Sequence, residues 1–232
     1  LRNTISHSST GIHTDNGGST STSVADLIKD NVIDCTGVAN AYGIFVFSPY
    51  IAPTIEANTV TNCAMGLTAF GQASTVTTPV ITQFKNNIVT GDLSVGSTGA
   101  FVSTVLHGYD YTPVYAEFIG NTITGFETGI QLWAGALWGN TPWEANPLSA
   151  TFTNNKVYGN TIQVSTDAAT GVVYPKDFTP NWWGSILGPA AGTIDGSIDF
   201  DPWCGDAACT FLVSATEPAE NGFYVSDGKL VM

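Results

Sequence analysis

The chain has 232 residues, 43% of them hydrophobic and only 11% charged, and its formal net charge at pH 7 is −13. This apolar content is sufficient for a folded core and argues against disorder, and the sequence has no run of about 18 apolar residues that would span a membrane. The excess of acidic side chains repels phosphate backbones and other polyanions, so nucleic acid is not expected as a partner.

An asparagine recurs along the chain in a constant context. A β-branched apolar residue follows it two positions later, and successive asparagines are 27 to 34 residues apart. A period of about 20–50 residues is the signature of a solenoid, which forms one domain because it grows coil by coil. The six positions are Asn3, Asn31, Asn58, Asn87, Asn121 and Asn155.

Apolar residues are repeated at fixed distances before these asparagines. Like residues in one register pack on each other about 4.8 Å apart when coils stack in parallel, whereas an antiparallel sandwich does not need such columns. The pattern therefore predicts an all-β, parallel solenoid. One column stands three positions upstream (Ile28, Ile55, Phe84, Phe118, Phe152), and a second stands seven positions upstream (Val24, Ile51, Val80, Val114, Leu148).

The asparagines themselves are predicted to stack at a corner of the coils. Asparagine tolerates the left-handed backbone conformation that a sharp turn demands, and its amide can hydrogen-bond to the equivalent amides above and below. A structural ladder is therefore expected, with no catalytic role, at Asn31, Asn58, Asn87, Asn121 and Asn155. A glycine follows eight positions after Asn58 and Asn121, but twelve positions after Asn31 and Asn87.

The four cysteines are placed as two pairs. Cys204 and Cys209 bracket a short loop that favours a local disulfide, and Cys35 and Cys63 are expected on neighbouring coils at one corner, within bridging distance. Two disulfides would imply an oxidising, extracellular setting. The alternative is four reduced thiols in a cytosolic protein, and the spacings match no compact zinc pattern.

Aromatic residues concentrate in the insertions between coils. The largest insertion, residues 131–147, carries three tryptophans, and three tyrosines, Tyr109, Tyr111 and Tyr115, are expected from the neighbouring coil if successive insertions stack. Flat rings on a rigid β surface suit the faces of neutral sugars, although the insertion could instead bury its tryptophans. The predicted carbohydrate-binding residues are Trp133, Trp138, Trp143, Tyr109 and Tyr111.

The last part of the repeat contains three further motifs: Asn181-Trp182-Trp183-Gly184, Gly188-Pro189, and residues 198–203. With the Asn-anchored coils, they resemble the right-handed parallel β-helix proteins of the pectin-lyase-like superfamily, in which similar segments close the solenoid. The resemblance covers residues 1–203 and implies a right-handed, single-stranded β-helix of about six coils. Residues 204–232 are expected to form a cap or a linker.

The superfamily includes lyases and hydrolases, but their motifs are missing. The sequence has no Asp-Asp, Gly-His-Gly or Arg-x-Lys segment, and it has no basic cluster for a uronate. A glycosidase would need two carboxyls about 5–10 Å apart, for which Asp110 with Glu144, or Glu117 with Glu127, are the candidate pairs. Hard oxygen ligands that suit Ca²⁺ recur at Asp195, Asp199 and Asp201, which are the candidate metal ligands, with turn-forming aspartates as the alternative.

The residues together favour a non-enzymatic function. We expect a secreted or cell-surface β-helix domain, part of a longer multidomain chain, that serves adhesion or carbohydrate binding through loops on a rigid solenoid. A polysaccharide-active enzyme that uses carboxylates of neighbouring coils is the first alternative. A structural stalk of a larger adhesin, without a ligand, is the second. No cofactor other than Ca²⁺ is implied.

Overall fold

The structure is a computed structural model. It describes residues 2–15, 24–104, 112–133, 148–166, 177–216, 223–226 and 228–231. These residues form short β-strands and turns, and no helix occurs among them. In the same residues we find no apolar helix of membrane-spanning length.

The coils are built from three parallel sheets of six, seven and five strands, and a complete coil contributes one strand to each. The first sheet contains β1 (Thr4–Ser6), β4 (Val32–Asp34), β7 (Thr59–Thr61), β10 (Ile88–Thr90), β13 (Thr122–Thr124) and β16 (Lys156–Val157). The second contains β2 (Thr10–Thr14), β5 (Tyr42–Val46), β8 (Met65–Phe70), β11 (Thr98–Ser103), β14 (Thr128–Trp133), β17 (Ile162–Thr166) and β18 (Ile194–Asp195). The third contains β3 (Leu27–Lys29), β6 (Thr54–Glu56), β9 (Ile81–Lys85), β12 (Val114–Ile119) and β15 (Leu148–Thr153).

The predicted columns are present in the register of these sheets. Val89 pairs with Val60 on one side and with Ile123 on the other, and all three are fully buried. The rings of Phe84 and Phe118 are stacked with their centroids 4.5 Å apart. The third sheet has five strands, which gives about five turns. The predicted parallel β-solenoid is therefore confirmed.

One residue of the upstream columns is placed differently from the prediction. Val24 is 86% exposed, whereas Val80, Val114 and Leu148 at the equivalent positions are buried. Val24 precedes β3, the strand at one end of the third sheet, which is paired only with β6. Leu148, at the other end of this sheet, is itself the first residue of β15 and stays buried.

The solenoid is followed by a small mixed sheet. Its strands are β19 (Trp203–Cys204), β20 (Leu212–Ser214), β21 (Phe223–Ser226) and β22 (Lys229–Val231). Trp203 belongs to the main hydrophobic core, and its indole Nε1 donates a hydrogen bond to the carbonyl oxygen of Ile186. Because β19 crosses the expected boundary at residues 203/204, the division into a solenoid domain and a cap stays a prediction.

Both predicted disulfides are formed. Cys35 is bonded to Cys63 and Cys204 to Cys209, with Cα atoms 4.8 and 4.7 Å apart. The first bridge joins two neighbouring coils at the corner between the first and second sheets. The second closes a loop next to the last coil.

The two bridges should contribute unequally to stability. The first spans 28 residues and the second only 5, so restriction of the unfolded chain favours the first by loop entropy. We expect Cys35→Ala/Cys63→Ala to lower the free energy of unfolding by about 3 kcal/mol, and Cys204→Ala/Cys209→Ala by about 2 kcal/mol. Urea unfolding of the oxidised proteins measures both, and a larger loss from the second pair would contradict this ranking.

The asparagine ladder has seven members in the structure. Asn121 is typical: its Nδ2 donates to Asn155 Oδ1 at 3.0 Å and to the carbonyl of Phe84 at 2.9 Å. Asn3 begins the ladder by donating to Asn31, and Asn181 ends it by accepting from Asn155. The segment read from the sequence as a closing motif is therefore a further coil, in which Trp183 occupies the inner column.

The sequence predicted a left-handed backbone conformation at the ladder asparagine. In the structure the residue before the asparagine adopts this conformation, so the prediction was wrong on this point. Asp30, Ala57, Asn86, Gly120 and Asn154 have φ between 54° and 68°. The turn is made at that position because the ladder residue must have its amide directed into the stack. The recurring asparagines in the sequence thus identify the residues whose side chains form the ladder hydrogen bonds. They do not identify the residues with a strained backbone.

Ala57 is the unfavourable member of this set. It is exposed and has φ of 54°, a conformation that costs an L-residue other than glycine or asparagine about 1–2 kcal/mol. We expect Ala57→Asn, which introduces the residue found at 86 and 154, to raise the free energy of unfolding by about 1 kcal/mol. Ala52→Asn, also exposed but without a positive φ, is the control, and an equal effect would refute the backbone explanation.

Glycines meet in one column despite their two spacings. Gly43, Gly66 and Gly99 occupy equivalent positions in β5, β8 and β11. A Cβ at Gly43 would lie 2.4 Å from Cγ1 of Val60. The column is therefore required by close packing of the first sheet on the second, and the four additional residues of the longer spacing enlarge the corner between these two sheets.

Candidate functional site

The second sheet has an unusual outer face. Side chains alternate across a strand, and in β5 the core residues Ile44 and Val46 flank Phe45, which consequently faces outward. The residues in register with Phe45 form a column across five coils. They are His13, Phe45, Thr68, Phe101 and Gln131.

Aromatic rings form a continuous row on this face. The centroid of Phe45 lies 5.0 Å from that of Tyr42 and 5.1 Å from that of Phe70. Phe101 continues the row at 5.8 Å from Phe70, and Trp133 lies 6.1 Å from Phe101. These are edge-to-face contacts within the usual range of about 4.5–7 Å. We call the set the aromatic strip: Tyr42, Phe45, Phe47, Phe70, Phe101 and Trp133.

The strip is buried in its middle and more accessible at its two ends. Phe70 and Phe101, in the middle of the row, are 6% and 1% exposed, whereas Tyr42, Phe45 and Trp133 are half-buried. The buried rings contact Phe45 and Trp133 directly, so these end rings would lose little side-chain entropy on binding. The strip is therefore a row of packed rings outside the main core, and its two ends are the accessible parts.

A cleft lies at the corner between the first and second sheets, before the strands of the second sheet begin. Its volume is about 510 Å³, its walls are residues 35–40 and Asp92 with residues 94–97, and its floor is residues 62–64. The walls belong to the coils in which the glycine stands twelve positions after the asparagine, and the floor to the coil in which it stands eight positions after. The short corner between two long ones leaves the cleft open.

Two carboxylates hold the walls of the cleft in place. Asp34 Oδ1 accepts hydrogen bonds from Thr36 Oγ1 and N at 2.6 and 3.0 Å, and Asp92 Oδ1 accepts the equivalent bonds from Ser94 at 2.5 and 3.1 Å. The hydroxyl donors lower the pKa of both carboxyls below their ordinary value. Both are therefore ionised turn-forming groups and are unsuited to act as a general acid at neutral pH, which requires a raised pKa.

The carboxylate pairs considered for a glycosidase are not assembled in the described residues. Glu117 lies in β12 of the third sheet and accepts a hydrogen bond from Gln83. Glu127 lies at the corner before β14 and accepts one from the backbone of Gly96. The two acids thus belong to different faces of the solenoid. The other pair, Asp110 and Glu144, lies outside the described residues.

The three aspartates considered for Ca²⁺ are engaged separately. Asp195 accepts a hydrogen bond from Ser165, Asp199 from the backbone of Asp201, and Asp201 from the backbone of Ala215. No group of three or more histidine, cysteine or acidic side chains fit for a metal ion is found in the ranges that the structure describes. The close sequence spacing reflects turn formation, and the structure does not bring these carboxylates together.

Only part of the predicted carbohydrate-binding set can be located. Trp133 is the last residue of β14 and ends the aromatic strip, while Trp138, Trp143, Tyr109 and Tyr111 lie outside the described residues. Sequence reasoning missed the rest of the strip. The available signal was the segment Tyr42-Gly-Ile-Phe-Val-Phe47, in which rings stand where the alternation of a solenoid strand calls for polar residues.

Comparisons of the chain with protein-family models, with curated proteins and with solved structures found no match.

Proposed function

We propose that this chain is a non-enzymatic β-helix domain of a secreted or cell-surface protein that binds a neutral glycan along the aromatic strip. The observation that carries the proposal is the set of half-buried rings at Tyr42, Phe45 and Trp133, which are joined by the buried rings of Phe70 and Phe101. Aromatic rings with one accessible face are suited to the apolar faces of sugar rings.

Charge and geometry favour an extended neutral ligand. A net charge of −13 disfavours polyanionic glycans. The accessible rings lie in β5 and in β14, three strands away in the second sheet. At about 4.8 Å per strand this is about 14 Å along the solenoid axis, a separation that an extended oligosaccharide spans. The cleft at the corner before the second sheet is lined by the polar residues Thr36, Asn40 and Asn62, which are suited to sugar hydroxyl groups.

The proposed setting rests on two further features. Two disulfides favour an oxidising compartment. The resemblance of the Asn-anchored coils and residues 181–203 to the pectin-lyase-like superfamily also supports an extracellular β-helix protein. Without the motifs of its lyases and hydrolases, adhesion or glycan retention is the function that we prefer.

The proposal is tested with a glycan array followed by titration calorimetry on the best neutral oligosaccharide. We expect Tyr42→Ala and Trp133→Ala each to weaken binding at least tenfold, equivalent to about 1.4 kcal/mol. The matched control is Tyr115→Ala, because Tyr115 is half-buried on the outer face of the third sheet. Circular dichroism verifies that all variants retain the fold.

Three results would overturn the proposal. Absence of binding by the unaltered protein across the array would leave the structural stalk as the better explanation. Equal losses in Tyr115→Ala and Trp133→Ala would show that the strip is not the binding surface. New reducing ends or unsaturated products, after incubation with neutral and acidic polysaccharides with and without Ca²⁺, would establish the enzyme alternative.

A further inference from the structure

A second concave site lies at the other side of the molecule, where the last coil meets the small C-terminal sheet. The pocket has a volume of about 320 Å³, close to the lower end of the range of about 300–1,000 Å³ for small-molecule sites. One side is the asparagine corner, with Gly120 and Asn154, and the opposite side is the disulfide loop that ends at Cys209. Trp182 and Lys156 lie between these two sides.

Lys156 and Trp182 are neighbours on the outer face of the first sheet. A backbone bridge pairs them in parallel register, so their side chains project from adjacent coils about 4.8 Å apart. Both side chains are half-buried. A tryptophan and a lysine from adjacent coils therefore line one small pocket, together with the exposed Asn154.

The ammonium of Lys156 is the only charged group among the residues that line the pocket. Within the described part of the chain, Lys156 forms no ion pair, and the ion pair found there joins Lys29 to Glu56. A half-buried cation without a carboxylate partner is a favourable place for a ligand anion. In a chain with a net charge of −13, the long-range field would admit one ligand charge more readily than a polyanion.

The disulfide loop is a rigid wall of the pocket. The Cys204–Cys209 bridge closes it, and Asp206 Oδ1 accepts hydrogen bonds from the backbone of Ala208 at 3.1 Å and of Thr210 at 2.9 Å. The hydroxyl of Thr210 also donates to Asp206 and lowers the pKa of its carboxyl. The wall is consequently formed before any ligand binds, which reduces the entropy cost of binding.

We propose that this pocket binds a single terminal sugar residue that carries a carboxylate. The carboxylate pairs with the ammonium of Lys156, the apolar face of the sugar ring lies against Trp182, and the amide of Asn154 is available to ring hydroxyls. The site does not depend on the aromatic strip. The pocket is expected to bind an anionic sugar, whereas the strip, which presents aromatic rings without a cation, is expected to bind a neutral glycan.

The test is titration of the full chain with two acidic probes, the methyl glycosides of glucuronic acid and of N-acetylneuraminic acid, and with methyl glucoside as the neutral probe. We expect at least one acidic probe to bind at least tenfold more tightly than methyl glucoside. We expect Lys156→Gln to weaken binding of the preferred acidic probe at least tenfold. Lys85→Gln should leave that binding unchanged, because Lys85 is half-buried on another sheet. Chemical-shift changes at the Trp182 indole report the ring contact.

Several outcomes would overturn this proposal. They are failure of both acidic probes to bind at millimolar concentration, equal binding of acidic and neutral probes, and an equal effect of Lys85→Gln. Binding of acetate as tightly as of the acidic sugars would show that the pocket recognises a carboxylate alone. Lys156→Gln keeps a side chain of similar length, so its result remains interpretable if Trp182→Ala proves unstable. Trp133→Ala should leave acidic-sugar binding unchanged, which separates failure here from failure of the strip.

Discussion

Replacement of Asn87 by alanine is expected to lower the free energy of unfolding by about 5 kcal/mol, because several buried hydrogen bonds are lost together. Asn87 Oδ1 accepts from both N and Nδ2 of Asn58, at 2.9 and 3.0 Å. Its Nδ2 donates to the carbonyl of Ile55 at 3.0 Å and to Asn121 Oδ1 at 2.9 Å. The variant would leave donors of Asn58 unsatisfied in a site where Asn58 is 1% and Asn87 0% exposed.

Asn3→Ala is the matched control for this experiment. Asn3 is exposed at the end of the ladder, and its Nδ2 donates to Asn31 Oδ1, so the expected loss is only about 1 kcal/mol. Urea unfolding followed by circular dichroism measures both variants. Equal losses at the centre and at the end of the ladder would show that stacked amides do not hold the corner together.

Gly66→Ala is expected to lower the free energy of unfolding by about 4 kcal/mol, above the usual cost of about 1–3 kcal/mol for overpacking. A Cβ at Gly66 would lie 2.4 Å from Cγ1 of Val89 and 2.5 Å from the carbonyl oxygen of Gly99. The second contact is with the backbone of β11, which is paired with strands on both sides. The methyl group can be accommodated only by displacing a coil.

Two variants separate this clash from a general effect of losing a glycine. Gly96→Ala adds a methyl with no atom within 4 Å, although φ there is +79°, so we expect about 1 kcal/mol of backbone strain alone. Gly66→Ala/Val89→Ala removes one of the two contacts and should be less destabilised than the sum of the single variants. Thermal unfolding gives all four values. Additive losses would contradict the contact between Gly66 and Val89.

Both variants bear on the proposed function as well as on stability. The aromatic strip exists because β5, β8, β11 and β14 stay in register, and the ladder and the glycine column maintain that register. A destabilised coil would separate Phe45, Phe70 and Phe101, whose contacts with one another are made between coils. Glycan binding should therefore be measured well below the unfolding transition of each variant.

The sequence by itself determined the architecture. A parallel solenoid brings equivalent residues of successive coils into contact, so the columns at Ile55, Phe84 and Phe118 and the asparagines near them are visible as a repeat. The pairing of Cys35 with Cys63 followed from the same period. The same residue types repeated once in each coil are sufficient for these features, because each coil packs mainly on its two neighbours.

Only the tertiary structure decided the details that position the sites. It placed the left-handed residue before the ladder asparagine and added a further coil that contains Asn181. It aligned Gly43 with Gly66, although the two glycines stand at different distances after their asparagines. It also brought the rings of the strip together, and it joined Lys156 and Trp182 to the disulfide loop. These contacts connect coils of unequal length and the C-terminal sheet. Their geometry depends on where each insertion leaves the stack, which the period of the repeat does not contain.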